Sequence, residues 1–150
     1  MDTISLEVLL PTTALTLTET VSLSAVGSLR REAASAAADA GVDDVIVDAI
    51  RLCVSEALTN ATMHAYPDRS GVVEVLIEVE DDEVVLTVRD AGCGLGGALD
   101  HRQGGGGLGL GLIWSLTDGL RVTSESDRGT EIRMAFSRDR NSSAARFLSP

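Results

Sequence analysis

Ser55-Glu56-Ala57-Leu58-Thr59-Asn60-Ala61-Thr62-Met63-His64-Ala65-Tyr66 is the stretch that decides the fold, and it closes a helical pattern beginning near Asp43. Ala49, Leu52, Glu56, Asn60 and Met63 recur at spacings of three and four, which puts them on one line along a helix. A second line, Ile46, Ile50, Cys53, Ala57 and Ala61, is wholly apolar. The helix is therefore apolar over a wide arc, with Glu56 and Asn60 inside it. A carboxylate and an amide four residues apart on a face expected to be dry cost stability unless partnered. Such a break marks either a paired polar duo at the core edge or a functional site.

Downstream, the helix ends before Pro67, because a residue preceding proline resists the α region. Pro67-Asp68-Arg69-Ser70-Gly71 has turn chemistry. Val72–Val79 and Val84–Arg89 are rich in β-branched residues and are joined by Asp81-Asp82-Glu83, which predicts a β-hairpin with an acidic turn. The second strand runs straight into Asp90-Ala91-Gly92-Cys93-Gly94. Six of the thirteen residues from Gly94 to Gly106 are glycine, a composition that fits a flap. A third helix is expected from about Leu108, with a glycine-rich start and a stop at Gly119. Leu120–Glu125 and Thr130–Phe136 then alternate as strands around the turn Ser126-Asp127-Arg128-Gly129, with Ile132, Met134 and Phe136 on one face.

Upstream, Leu15–Thr18 reads as a strand. Ser22 or Ser24 caps a helix running to about Ala40, with Gly41 as its terminator. Arg30, Arg31 and Glu32 lie together on that helix, where a charge cluster is ordinarily a solvated face. Residues 1–13 form an N-terminal arm or an extra strand, 14–137 the folded domain, and 138–150 a frayed tail. The order strand, helix, helix, hairpin, flap, helix, hairpin implies no βαβ crossover. It predicts an α+β fold: a two-layer sandwich of a mixed, mostly antiparallel sheet with helices on one face.

The 150 residues suit one domain, and its core must be aliphatic, since the aromatics are only Tyr66, Trp114, Phe136 and Phe147. A net charge of −11 argues against nucleic acid and against an anionic membrane surface. No apolar run reaches spanning length and the first residues lack a signal peptide's basic region, so a cytoplasmic protein is expected. Every basic residue is arginine. The absence of lysine excludes a Walker A loop, the strand lysine of the usual eukaryotic protein kinase, and Schiff-base chemistry. Cys53 and Cys93 read as free thiols, and two histidines without a CxxC give little basis for a zinc site.

Three features converge on one chemistry. A helix presents Glu56 and Asn60, a strand end presents Asp90 followed by glycines, and a glycine-rich turn opens a helix. Glycines let backbone amides approach a ligand closely, and a helix start favours an anion. The Asn60 amide oxygen suits Mg²⁺, which bridges phosphates while keeping waters. Asp90 can accept from an exocyclic amine such as that of adenine, and Glu56 can take a proton from a hydroxyl or water. Together these describe a nucleoside triphosphate site that needs no lysine.

Glu56-Ala57-Leu58-Thr59-Asn60-Ala61, His64-Ala65-Tyr66, Arg89-Asp90-Ala91-Gly92-Cys93-Gly94, Gly107-Leu108-Gly109-Leu110-Gly111 and Gly129-Thr130-Glu131-Ile132-Arg133 resemble the successive boxes of the GHKL (Bergerat) ATP-binding fold. Within it they resemble the anti-sigma-factor serine/threonine kinases of the RsbW/SpoIIAB type, over about residues 14–137. The resemblance implies ATP and Mg²⁺ as cofactors. Asn60 would bind the metal and Glu56 would be the catalytic base for a substrate serine. Asp90 would hold adenine, with Gly92 and Gly94 shaping the pocket and Thr130 assisting, while Gly107, Gly109 and Gly111 would line the phosphates. Arg30 falls where such kinases meet their partners; His64 and Tyr66 read as structural. The implied partners are a STAS-domain anti-anti-sigma protein, phosphorylated on Ser or Thr, and an RNA polymerase sigma factor; the implied assembly is a homodimer. The flap from Gly94 to Gly107 is shorter than in the best-known members, with Arg102 its one formal positive charge besides His101. Ala91 stands where an acidic residue or glycine is frequent. The short flap motivates an alternative: a regulatory module that holds nucleotide and partner without phosphoryl transfer. A histidine sensor kinase is disfavoured, as the chain has no dimerisation–phosphoacceptor helix pair.

Overall fold

Strict alternation over Val72–Val79 buries Val73, Val75, Ile77 and Val79 on one side and leaves the intervening side chains more open. This strand (β2, Val72–Val79) pairs antiparallel with β3 (Glu83–Asp90), Val79 opposite Val84 and Val73 opposite Asp90, as the acidic hairpin requires. The computed structural model describes residues 13–95 and 109–139. Nearly all of the expected N-terminal arm, most of the glycine flap including Gly107, and the tail from 140 onward lie outside the described residues.

Five strands form one sheet in the order β1-β2-β3-β5-β4, with β1 at Thr13–Thr20, β4 at Gly119–Glu125 and β5 at Gly129–Ser137. Every described pairing is antiparallel, so the expected mixed sheet is corrected. The connections give the reason. Two helices, α1 (Leu23–Asp39) and α2 (Asp44–Asn60), intervene between β1 and β2. A pair of helices out and back returns the chain antiparallel beside the strand it left. The expectation of no crossover fails at one place. β3, α3 (Leu110–Leu116) and β4 form a crossover between strands of the same direction, with β5 inserted between them. That insertion sets the end of β3 beside the start of β5.

The helices cover one face of the sheet, giving a two-layer α+β sandwich. Leu29, Ile50, Val54 and Leu58 from the helices meet Val75, Ile77, Leu86, Met134 and Phe136 from the strands, all essentially inaccessible to water. Each such aliphatic side chain contributes about 1.5–3 kcal/mol on burial. The inner line of α1 is mostly alanine (Ala25, Ala33, Ala34, Ala37), which lets it lie close to α2. Ser22 caps α1 by accepting from the Ala25 N–H at 3.0 Å. At the other end Gly41 takes φ +83°, with Gly41 N–H on Ala38 O and Val42 N–H on Ala37 O. These two bonds are the Schellman closure expected of a terminal glycine.

On the opposite face Arg89 reaches Glu131 at 2.6 Å and Glu74 at 3.2 Å, one cation across three strands. Hydrogen bonding to Glu131 is the main reason its guanidinium is held more firmly protonated than usual. Cys53 is buried and Cys93 exposed, both as free thiols. Among the described residues no helix is long and apolar enough to cross a membrane.

Candidate nucleotide site

The α-helical hydrogen bonding of α2 stops at Asn60, where one π-helical turn, Ala61–Ala65, carries the chain to Tyr66. The pattern up to Pro67 predicts a single helix, whose last turn is instead this π turn. π turns recur at functional sites because the extra residue per turn redirects backbone groups. Here it offers terminal carbonyls to the loop after β3. Ala65 O accepts from Cys93 N–H at 2.9 Å, and His64 O accepts from the Cys93 thiol at 3.2 Å. Gly92 makes this docking possible, since a Cβ there would strike the Ala65 carbonyl. The orphan carbonyls of a helix end are thus satisfied by the loop that follows Asp90.

Asp90 closes β3 and faces Thr130 across the sheet. Its Oδ1 accepts from Gly92 N–H at 3.0 Å and Thr130 N–H at 3.3 Å. Burial pushes this carboxyl above the usual carboxylate range, and the two backbone donors partly offset the shift. Thr130 Oγ1 lies 3.2 Å from Ser124 Oγ, which accepts from Leu95 N–H at 2.7 Å. Ala57, Asn60, Ala61, Ala65, Val88, Asp90, Gly94, Leu95, Thr130 and Ile132 line one narrow cleft. Its walls are small or aliphatic, and its polar side chains are a buried amide, a half-buried carboxylate and a hydroxyl.

Glu56 is placed one helical turn before Asn60 and outside that lining. Its carboxylate packs against Gly109, which has φ +62° and precedes α3; a Cβ on Gly109 would collide with it. A glycine start to α3 therefore brings the helix onto Glu56. The line that carries Glu56 is not the dry face expected from its spacing. Leu52 is 51% and Met63 65% exposed, while the second line, Ile46 to Ala61, is the buried one. Glu56 stands half-buried on the flank where helix meets cleft.

A sequence profile described as the histidine kinase-like ATPase domain matches residues 20–136. The chain belongs to this family. The chain is 33% identical over 97 residues to the anti-sigma F factor of Clostridium acetobutylicum, spanning 59% of this chain and 68% of that protein. With the anti-sigma F factor of Clostridium perfringens the identity is 36% over 95 residues, 57% of this chain and 68% of the other. The fold matches the crystal structure of the RsbU and RsbW domains of a Mycobacterium tuberculosis protein, with a TM-score of 0.64 at 23% identity. That likeness covers 86% of this chain and about a third (34%) of the other. The family and the α+β architecture are those the sequence boxes pointed to.

Within this histidine kinase-like domain the structure brings Asn60, Asp90, Gly94 and Thr130 to one cleft, with Gly92 packed against Ala65 of its wall. Glu56 and Gly109 meet beside it. Gly111 is exposed on α3, where an added Cβ would meet nothing. Arg30 lies apart on α1, its Nη1 3.5 Å from Ser55 Oγ and so next in sequence to Glu56's position. Gly107 lies outside the described residues. Sequence reasoning missed Ser124 and the reach of Tyr66. Ser124 carries a legible signal: it occupies the inward register of β4 after Leu120 and Val122, a hydroxyl where the alternation calls for an apolar side chain. For Tyr66 the Val72 carbonyl is only six residues away, but the contact that reaches the site, with Ala91, spans 25 residues and leaves no local signal.

Proposed function

We propose that this protein is an ATP-dependent anti-sigma regulator. It transfers the γ-phosphoryl of ATP to a serine or threonine of a STAS-domain antagonist, and it sequesters an RNA polymerase sigma factor. The observation that carries the reading is the gathering of Asn60, Asp90 and Thr130 at one cleft, with Glu56 a single helical turn away on the same helix. The anti-sigma F factors it resembles support the regulatory part.

Adenine would enter the cleft and donate its amine to Asp90, whose Oδ1 is already filled by backbone donors. Thr130 and Gly94 would flank the ring, and Gly92 keeps the loop seated. Gly107, Gly109 and Gly111 would border the phosphates. The donor chemistry fits Mg²⁺: Asn60 supplies a hard amide oxygen at the cleft wall, of the kind that holds Mg²⁺ together with phosphate oxygens and waters. When bound, the metal would neutralise phosphate charge. Glu56 would take the proton of the acceptor hydroxyl as its oxygen bonds to the γ-phosphorus and the bond to ADP breaks. Arg30 would contact the partner. A homodimer in the cytoplasm is the proposed setting.

One observation favours a second reading, a nucleotide-holding module that sequesters its partner without chemistry. The described lining of the cleft carries no cation. Mass spectrometry of a STAS protein incubated with ATP and Mg²⁺ separates the two. The kinase reading predicts one added phosphate, lost in Glu56→Ala by about 10²–10⁴ in rate while calorimetric ATP binding persists. ATP binding with no phosphate added across cognate STAS proteins would establish the second reading instead.

A further inference from the structure

The segment between the π turn and β2 takes no part in the proposed transfer, yet its contacts lead back to Asp90. The Tyr66 ring is buried over Gly71, where any Cβ would strike it. Its phenol donates to Val72 O at 2.7 Å and accepts from the Ala91 N–H at 2.8 Å. The Arg69 guanidinium lies 5.6 Å from the ring centroid and donates to Ala91 O at 3.4 Å. Both backbone polar groups of Ala91, the residue after Asp90, are therefore held by one short stretch. A hydroxyl bonded on both sides has a fixed position and cannot rotate freely.

The consequence runs through Asp90. Its Oδ1 receives Gly92 N–H, and Gly92 directly follows the pinned residue. That contact, with Thr130 N–H, sets the carboxylate plane. A carboxylate so oriented presents its other oxygen along one direction, and discrimination between purines depends on such a direction. A site built to pair with a substrate N–H rejects the analogue lacking it, whereas a loose acceptor does not.

Resting on the adenine reading above, we infer that Tyr66, assisted by Arg69, is a positioning residue for purine selectivity. It pins Ala91 so that Asp90 meets a 6-amino group. The apolar walls then supply affinity for any purine, and the Tyr66–Ala91–Asp90 chain supplies the preference for adenine.

Calorimetry with ATP and with purine riboside 5′-triphosphate, which lacks only the 6-amino group, tests this. Wild type is expected to prefer ATP by about 10- to 100-fold, the range for a hydrogen bond to a charged group. Tyr66→Phe keeps the ring and removes the hydroxyl; its preference should contract to within about threefold, chiefly through weaker ATP binding. Arg69→Ala, an exposed change that spares the buried ring, should contract the preference in the same direction and covers the case in which Tyr66→Phe does not fold. Equal weakening of both nucleotides, or an unchanged preference in folded variants, would overturn the positioning role and leave the adenine site standing. A wild type that binds the two nucleotides alike would overturn the adenine site itself, and this role with it.

Discussion

Two stretches of the helical run formed by α2 and the π turn that follows it do opposite work. From Ile46 to Val54 the inward residues are Ile46, Val47, Ile50, Cys53 and Val54, side chains that fill space against α1 and the sheet. From Ala57 through the π turn Leu58 still fills core, but the residues on the sheet-end side are Ala57, Asn60, Ala61 and Ala65, which leave a cleft where the earlier pattern would have left core. Bulk makes the first stretch a stabilising element, and the want of bulk on the cleft side of the second makes a site there. Near the end of the first stretch is Cys53, whose thiol is pushed up to about 12 by burial and secondarily by the Glu56 charge. It is a core group, inert as a nucleophile at neutral pH.

Interchanging the character of the two stretches gives the largest expected effects. Ala61→Leu puts three more carbons into the cleft. It should abolish ATP binding by calorimetry, with an overpacking cost of about 1–3 kcal/mol in urea unfolding. Retained ATP affinity would place the nucleotide elsewhere. Ile50→Ala, in the stretch that fills space, should lose about 2–5 kcal/mol of stability. ATP affinity, measured where the variant is folded, should stay within about twofold, since residues this far apart act nearly independently.

A smaller effect separates stability from function at Asp90. Its carboxyl is raised in the folded state, chiefly by burial, so the fold favours the protonated form. The ionised group therefore costs stability, and stability from this residue is gained as pH falls through the folded value. Asp90→Asn should melt higher than wild type at pH 7, with the gap closing in acid where wild type takes up its proton. Its ATP affinity should nevertheless fall about 10- to 100-fold, because an amide is a weaker acceptor than a carboxylate. A variant that melted lower at pH 7 would show that the backbone donors on Oδ1 outweigh the burial.

What was legible in the sequence follows from range. Ser22 and Gly41 declare the ends of α1 because capping is decided within a few residues. Alternation over Val72–Val79 and Thr130–Phe136, with the turns between strands, gives both hairpins. Glu56 and Asn60 stand out as polar residues in an apolar arc, although the arc was drawn too wide: Leu52 and Met63 face solvent. The insertion of β5 between β3 and β4 is non-local, and alternation says nothing about which strand lies beside which. The π turn differs from an α turn by one residue, within the latitude of any periodicity. Tyr66 meets Ala91 across a separation of 25 residues, and neither carries a local sign of the other. Ser124 was legible in principle from its inward register.

The central claim is that the small-residue end of α2 and the end of β3 make an adenine site. A crystal structure of the protein grown with a non-hydrolysable ATP analogue and Mg²⁺ tests it most directly. The account predicts the adenine amine within hydrogen-bonding distance of the free Asp90 oxygen and the metal on the Asn60 amide oxygen. An analogue bound away from the cleft, with Asn60 and Asp90 untouched, would contradict it.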